Sequence, residues 1–417
     1  MNNWYKNFDW ILVLCWIALT LIGLAAIYSA TQGPVSQFLP SYIQENFFKQ
    51  LLWVAISIVI LIIVQFTAPR TFQQGSYLFY AFCILLMIST LLFGVEINGA
   101  RSWISIAGVR FQVSEIMKIG TILAVSNYLT SRRNISAEKL SSALVAVGII
   151  LLPTGLTLLQ NDTGTALVLL SLIPVMLFWS GLPRGISLFI ISPAIIGYFA
   201  VIQWYWGILA VLIVSIAVFL IQKRTWLTLT SLIFGIIIVA GVHIALYQVL
   251  EPHQRARIEA FTNPSFDPHG AGWNVIQAKT AIGSGGLTGK GFMKGTQTQL
   301  RFLPEQWTDF IYCVIGEEFG FIGASTVIII FLIMLMRLLN VAGSHNHPFA
   351  QLVIVGIASI FFVHILINIG SAMGLLPVIG IPLPFISYGG SAFMSNTFML
   401  AIALNMELYH RDFSIFV

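Results

Sequence analysis

Residues Gly270–Gly323 read GAGWNVIQAKTAIGSGGLTGKGFMKGTQTQLRFLPEQWTDFIYCVIGEEFGFIG, a polar, glycine-rich loop that runs into an apolar helix. Only 8% of the 417 residues are charged. Between Glu251 and Glu305, however, the chain gathers Arg255, Arg257, Lys279, Lys290, Lys294 and Arg301, with Glu259 and Asp267 among them. A chain that avoids charge elsewhere and concentrates it here keeps its chemistry here.

Outward from that stretch the sequence is apolar: 58% of residues are hydrophobic, 13% are aromatic and the mean hydropathy is +0.91. Too little polar surface remains to cover a soluble helical protein. Runs near the roughly twenty residues that a hydrocarbon core of about 30 Å requires recur along the chain. They are Trp10–Ala30, Phe47–Phe66, Ser76–Gly94, Val113–Leu129, Ser141–Leu159, Thr163–Gly181, Ile186–Tyr205, Trp206–Ile221, Trp226–Val249, Asp309–Met336, Gln351–Gly370 and Ser391–Tyr409. The fold class is an all-α polytopic membrane protein of about twelve transmembrane helices. Residues 1–417 form one membrane domain, with a large extracytoplasmic loop at 250–308. Trp10–Ala30 is too long for a signal-peptide core and reads as a retained helix. Cys15, Cys83 and Cys313 fall inside spans and read as small core residues. No basic helix or aromatic-interleaved patch points to nucleic acid.

Orientation follows the short basic links. Lys6, Arg70, Arg132, Arg133, Lys139, Arg184, Lys223, Arg224, Arg337 and Arg411 fall on one side if the spans alternate. That side is cytoplasmic, and both termini lie there. Between the third and fourth spans, Asn98–Gln112 alternates apolar residues with Arg101 and Arg110 and reads as a re-entrant or interfacial segment. Pro153 and Gly155 are expected to break the fifth span near Asn161–Asp162.

Three motifs carry a resemblance. GAGWNVIQAKTAIGSGGLTGKGF, GTQTQLRFLPEQWTDFI and PLPFISYGGSAF resemble the SEDS (shape, elongation, division and sporulation) family, and GTQTQL resembles its RodA branch more than its FtsW branch. The likeness runs from the first helix to the last. It implies ten core helices, so the three spans between Pro183 and Val249 amount to an inserted hairpin. It also implies a peptidoglycan glycosyltransferase of the bacterial cytoplasmic (inner) membrane that serves cell elongation and rod shape. The implied substrate is lipid II, a polyprenyl-diphosphate-linked disaccharide peptide. The implied partners are a class B penicillin-binding transpeptidase and other elongation-complex membrane proteins. A lipid II flippase and a non-catalytic scaffold are the alternatives.

Asp309 stands where loop meets helix. Read from the residues, a helix N-cap and a catalytic base are equally open; the resemblance makes it the catalytic residue. Trp307 stands where relatives often carry His. Glu115 and Lys118 are three apart on one helical face, an intrahelical pair or a functional one, and the resemblance turns them toward a central cavity. Arg101, Arg110, Lys118 and Lys290 are candidates to offset a leaving diphosphate, with a divalent cation (Mg or Mn) as a further possibility. Glu317 and Glu318 lie roughly 12–14 Å deeper along the helix than Asp309 and call for protonation or a cation such as Lys118. Asp162 and Ser387 are supporting candidates. The run Gly283–Gly291 is no P-loop, since Ser284 and Gly291 stand where that motif needs Gly and Ser or Thr; its backbone N–H groups and lysines remain able to hold a diphosphate. The seven histidines show no HExxH spacing, and His345 and His347 read as inner loop residues.

Topology is testable directly. A reporter fused at Asn134, Gln222 or His410 should read cytoplasmic, and one fused at Thr288 external; a cytoplasmic Thr288 would separate the loop from a substrate presented outside.

Overall fold

The computed structural model describes residues 8–33, 40–97, 99–106, 109–131, 140–250, 252–264 and 271–410. Lys6, Arg132, Arg133, Asn134, Lys139, Glu251, Asp267 and Arg411, named above, lie outside the described residues.

Every expected span is a helix. In chain order these are α1 Trp10–Gln32, α2 Asn46–Gln65, α3 Pro69–Phe93, α4 Val113–Ser131, α5 Leu140–Leu159, α6 Thr163–Trp179, α7 Arg184–Ile202, α8 Trp204–Gln222, α9 Thr225–Ile244, α10 Ile311–Ser344, α11 Pro348–Ala372 and α12 Gly390–Leu408. Nine of them combine the length and hydropathy needed to cross a membrane; α6 is shorter. α4 and α12 carry buried polar side chains such as Lys118 and Asn396.

α11 occupies the centre of the bundle, buried on nearly every side and packed by α4, α6 and α10. α12 lies along α2, and α3 along α4. Helices α7, α8 and α9 pack on one another around their own small core of Ile196, Val211, Val214, Val218 and Leu227. Cys15, Cys83 and Cys313 are buried free thiols.

Two expectations change. The segment read as re-entrant or interfacial is, among the described residues of 95–112, a three-stranded antiparallel sheet, β1 Val95–Ile97, β2 Ala100–Ile106 and β3 Val109–Gln112. Ile104 pairs with Phe111 and Ser105 with Arg110. The alternation of apolar and polar residues has the period of two that a strand requires, and pairing satisfies backbone groups that an extended segment at the membrane edge could not leave open. The second change concerns α5, which runs unbroken through Pro153. Proline removes the N–H that would reach the carbonyl of Ile149, and the Tyr80 hydroxyl donates to that oxygen at 2.8 Å. The chain reverses after α5 instead, where Asn161 takes a left-handed φ of 61°.

The break that matters lies in α10. Gly320 has φ 66° and ψ −161°, an essentially glycine-only region that costs a side-chain-bearing residue roughly 1–3 kcal/mol. The glycine-rich loop fills the interruption. Lys290 N–H and Gly291 N–H donate to the carbonyls of Glu317 and Glu318 at 3.0 Å each, while Phe321 and Ile322 donate to Gly286 and Leu287 at 2.9 and 3.1 Å. A Cβ on Gly320 would meet Gly289 N at 2.3 Å, and one on Gly285 would meet Gly316 O at 2.0 Å.

Gly320→Ala should therefore lower the thermal midpoint in detergent by several degrees. Gly343→Ala, on the same helix with open space around its Cβ position, should hold or raise it. Equal midpoints for the two variants would refute the packed break.

Candidate active site

Asp309 sits in a tight turn before α10. Thr308, Asp309 and Phe310 all direct their N–H groups at Glu305 O, at 3.2, 3.2 and 3.4 Å, and Glu305 takes a positive φ of 49°. The first helical residue is Ile311, preceded by Phe310, and no side chain caps it. Asp309 is thus no N-cap: its carboxylate accepts no hydrogen bond among the described residues. Its backbone is clamped instead. Asn368 Nδ2, from α11, donates to Asp309 O at 3.0 Å and to Ile381 O at 2.8 Å.

The segment 380–388 closes the other side. Ser387 Oγ donates to Thr308 O at 2.6 Å and accepts from Leu383 N–H at 2.9 Å, and Tyr388 N–H donates to Trp307 O at 2.9 Å. Ser387 therefore fixes the peptide beside Asp309. Gly380, at φ 83°, lies beside the carboxylate, where a Cβ would make ordinary contact with Asp309 Oδ2 at 3.4 Å. Burial pushes the Asp309 carboxyl up to about 6, the charge of Glu305 pushes the same way, and Arg257 opposes both. Arg257 belongs to the loop helix Pro252–Thr262 and donates to Ile379 O at 3.4 Å.

One turn along α11 from Asn368, His364 reaches the second constellation. Glu115 and Lys118 are buried side by side in α4, with Lys118 Nζ 2.9 Å from Glu115 Oε2 and 3.0 Å from His364 Nε2. His364 Nδ1 lies 3.1 Å from the carbonyl of Pro382. A proton on Nδ1 donates to that carbonyl and leaves Nε2 to accept from the ammonium. His364 and Asn368 are four apart and share one face of α11. Through them the buried ion pair and the Asp309 turn are fastened to the same loop carbonyls, those of Ile381 and Pro382.

Glu317 and Glu318 have other partners than Lys118. Lys290 Nζ donates to Glu317 Oε1 at 2.7 Å. The N–H groups of Gln297 and Thr298 donate to the same carboxylate at 2.8 and 2.9 Å, so GTQTQ is wound onto Glu317. Ser29 and Gln299 donate to Glu318 Oε1. Ser29 lies in the last turn of α1, so the two glutamates sit near one end of the bundle, not at mid-membrane. The Lys290 ammonium and the N–H groups of Lys290 and Gly291 are directed at α10.

The remaining sequence candidates are placed apart from Asp309. Asp162 caps α6, accepting from Thr165 N–H at 3.1 Å, and accepts from Gln112 and Ser114 at 2.9 and 3.2 Å. It ties the start of α4 to α6. Arg101 is exposed and lies 4.0 Å from Glu96; Arg110 is exposed on β3. Neither is bonded to Asp309 or Lys118 among the described residues. Sequence reasoning missed His364, Asn368 and Arg257. The signal available for the first two was a pair of polar residues four apart inside an otherwise apolar span.

The chain matches the family described as "Cell cycle protein" (FtsW, RodA, SpoVE) over residues 9–208 and 203–412. It belongs to the SEDS family. Among SEDS relatives it is 32% identical to the peptidoglycan glycosyltransferase RodA of Treponema pallidum (strain Nichols), covering 98% of each chain. It is 31% identical to the peptidoglycan glycosyltransferase MrdB of Escherichia coli (strain K12), covering 99% of this chain and 96% of that one. One solved structure, described as structural coordination of polymerization and crosslinking by a peptidoglycan synthase complex, aligns with a TM-score of 0.71 at 26% identity, covering 97% of this chain and 98% of that one. The rod shape determining protein RodA of Thermus thermophilus aligns with a TM-score of 0.63 at 24% identity, covering the same shares, a likeness of fold. The two matched segments meet at 203–208, where α7 gives way to α8 within the expected insertion.

For this SEDS chain the buried pair predicts a pattern of stabilities. Glu115→Gln and Lys118→Met, each alone, leave one buried partner uncompensated and should cost about 3–5 kcal/mol. The double variant should cost clearly less than their sum in detergent unfolding; strict additivity would show that the two side chains do not interact.

Proposed function

We propose that this peptidoglycan glycosyltransferase polymerises lipid II, with Asp309 as the general base. The observation that carries the assignment is a carboxylate with a fixed backbone, no hydrogen-bond donor among the described residues and an affinity for protons raised toward neutrality. A base is most effective when its pKa approaches the working pH, because it is then ionised and still basic. Asp309 accepts the proton of a sugar hydroxyl on the acceptor. The hydroxyl oxygen attacks the anomeric carbon of the donor, the bond from that carbon to the lipid diphosphate breaks, and the diphosphate leaves with its electron pair. A single displacement inverts the anomeric centre.

Charge on the departing diphosphate needs cations. Arg257 is the basic residue whose field already reaches Asp309. Glu305, whose charge acts on Asp309, has carboxylate oxygens of the kind Mg²⁺ or Mn²⁺ prefers, and an ion held there would add Lewis-acid neutralisation of the diphosphate while leaving Asp309 free as the base. Lys118, held by Glu115 and His364, acts through the loop at Ile381–Pro382, as a positioning residue. The likeness to a chain of a polymerising and crosslinking complex supports a class B penicillin-binding transpeptidase as partner, and the membrane bundle supports work at the outer face of the cytoplasmic membrane. The two glutamates that would have suited a transporter pin a loop near one end of the bundle, which favours the enzyme over a flippase.

Asp309→Asn and Asp309→Ala should both fold, because no cap is lost. Polymerisation of lipid II by either, with the partner present, should fall roughly 10²–10⁴-fold. The parent's rate should decline below a pH near 6, an acid limb that the residual activity of Asp309→Asn lacks. The stability sign is opposite. A carboxyl raised from 3.8 to about 6 on folding binds more protons folded than unfolded, so the parent loses stability as pH rises through that window. Asp309→Asn should match or exceed the parent's thermal midpoint at pH 8, with the difference vanishing below about pH 4. Near-parental polymer from Asp309→Asn would remove the base assignment.

A further inference from the structure

At the opposite end of the bundle from the Asp309 turn, α10 and α12 terminate together. His345 follows the last residue of α10, and Glu407 and His410 lie at the end of α12. One ligand atom from each of the three falls within 4.8 Å of the others. Glu407-Leu408-Tyr409-His410 is a Glu-x-x-His pair in which Glu407 lies in the last turn of α12 and His410 follows its C-cap Tyr409, the two side chains lying together, a spacing also used in metal sites of helical bundles.

Three details go beyond proximity. His345 Nε2 lies 3.0 Å from the carbonyl of Met406. A proton there donates to that oxygen and leaves Nδ1 with its lone pair, engaged only by a long 3.4 Å approach from His347 N–H. Fixing the tautomer by a backbone carbonyl is the usual outer-shell arrangement of a metal-binding imidazole. Glu407 Oε2 is buried and accepts no hydrogen bond; His410 Nδ1 stands 3.7 Å away, beyond hydrogen-bond range but close to the separation of roughly 3.3 Å between two ligands of one tetrahedral ion with bonds near 2 Å. The Glu407 carboxylate supplies the negative charge, since Asp9 and Arg337 pair with each other at 2.6 Å; α10 and α12 direct their negative dipole ends here, against the positive N-terminus of α11 at Pro348.

We propose that His345, Glu407 and His410 bind a divalent transition-metal ion of the Zn²⁺ type, with a fourth position open to water, and that the ion staples the ends of α10 and α12 together. Two imidazoles and one carboxylate are a donor set that zinc accepts. The oxygen-seeking Mg²⁺ and Ca²⁺ are the poorer fit. The inference stands independently of the assignment of Asp309.

The test uses the full chain in detergent, stripped with a chelator and dialysed against buffered Zn²⁺. The parent should retain about one equivalent of zinc by elemental analysis, gain thermal midpoint on adding it, and show with Co²⁺ the visible absorption of a four-coordinate ion. His410→Gln and Glu407→Gln, both at partly exposed positions, should keep the metal-free midpoint. They should bind zinc at least tenfold more weakly and lose the zinc-dependent shift. Asp309→Asn should bind zinc as the parent does. A parent that retains no zinc overturns the proposal, as does equal zinc binding by the parent and both glutamine variants.

Discussion

Glu317 holds the region together. A carboxylate with no exposure to solvent is tolerable only when its lone pairs are filled, and here two backbone N–H groups, Thr296 and the Lys290 ammonium fill them. The same contacts draw the loop that precedes the Asp309 turn down onto α10. Removing the charge would release these donors, and Ser284 Oγ at 3.5 Å, all at once. The glycines around it answer a second constraint, because the loop backbone runs so close to α10 that Cβ atoms at Gly285 and Gly289 would overlap the helix and one at Gly320 would overlap the loop. Charge and absence of side chain are complementary parts of one joint.

The central helix does a comparable task for the chemistry. Along α11, His364 and Asn368 are polar insertions in a stretch, 360–370, otherwise made of Ile, Phe, Val, Leu and Gly. Each uses a hydrogen bond to a carbonyl of the proline-rich segment to place a neighbour: His364 the Lys118 ammonium, Asn368 the Asp309 peptide. Proline at 382 and 384 supplies carbonyls without supplying N–H groups that would need partners, so the segment can serve as an acceptor rail inside the bundle.

The membrane helices were legible because burial in lipid demands long apolar runs, a constraint that composition records directly. Glu115 and Lys118 were legible for the converse reason: charges are costly in such runs and rarely survive there without a task; Asp309, at the loop–helix junction, was singled out by the family resemblance. What escaped depends on partners distant in sequence. Pro153 reads locally as a break, and only Tyr80 on another helix shows why it is none. Asp309 reads locally as a cap, because its type and position suit one; that its carboxylate is withheld from the helix depends on the turn about Glu305 and the clamp from Asn368. Lys290 looked available because its acceptor, Glu317, lies 27 residues away. Arg257 carried no motif of its own.

The break at Gly320 also sets how forces can travel along α10. An unbroken helix of 34 residues would be a single stiff rod. Here the short upper piece that follows Asp309 and the long lower piece that ends at Arg337 and Ser344 are spliced by hydrogen bonds to a different segment of chain. The two pieces can change their relative tilt only by stretching those bonds, so the glycine-rich loop is the stiffness of the splice. Any load applied to the loop from outside, whether by a substrate or by a neighbouring protein, is delivered at the point where the rod is jointed and has the long lower piece as its lever arm.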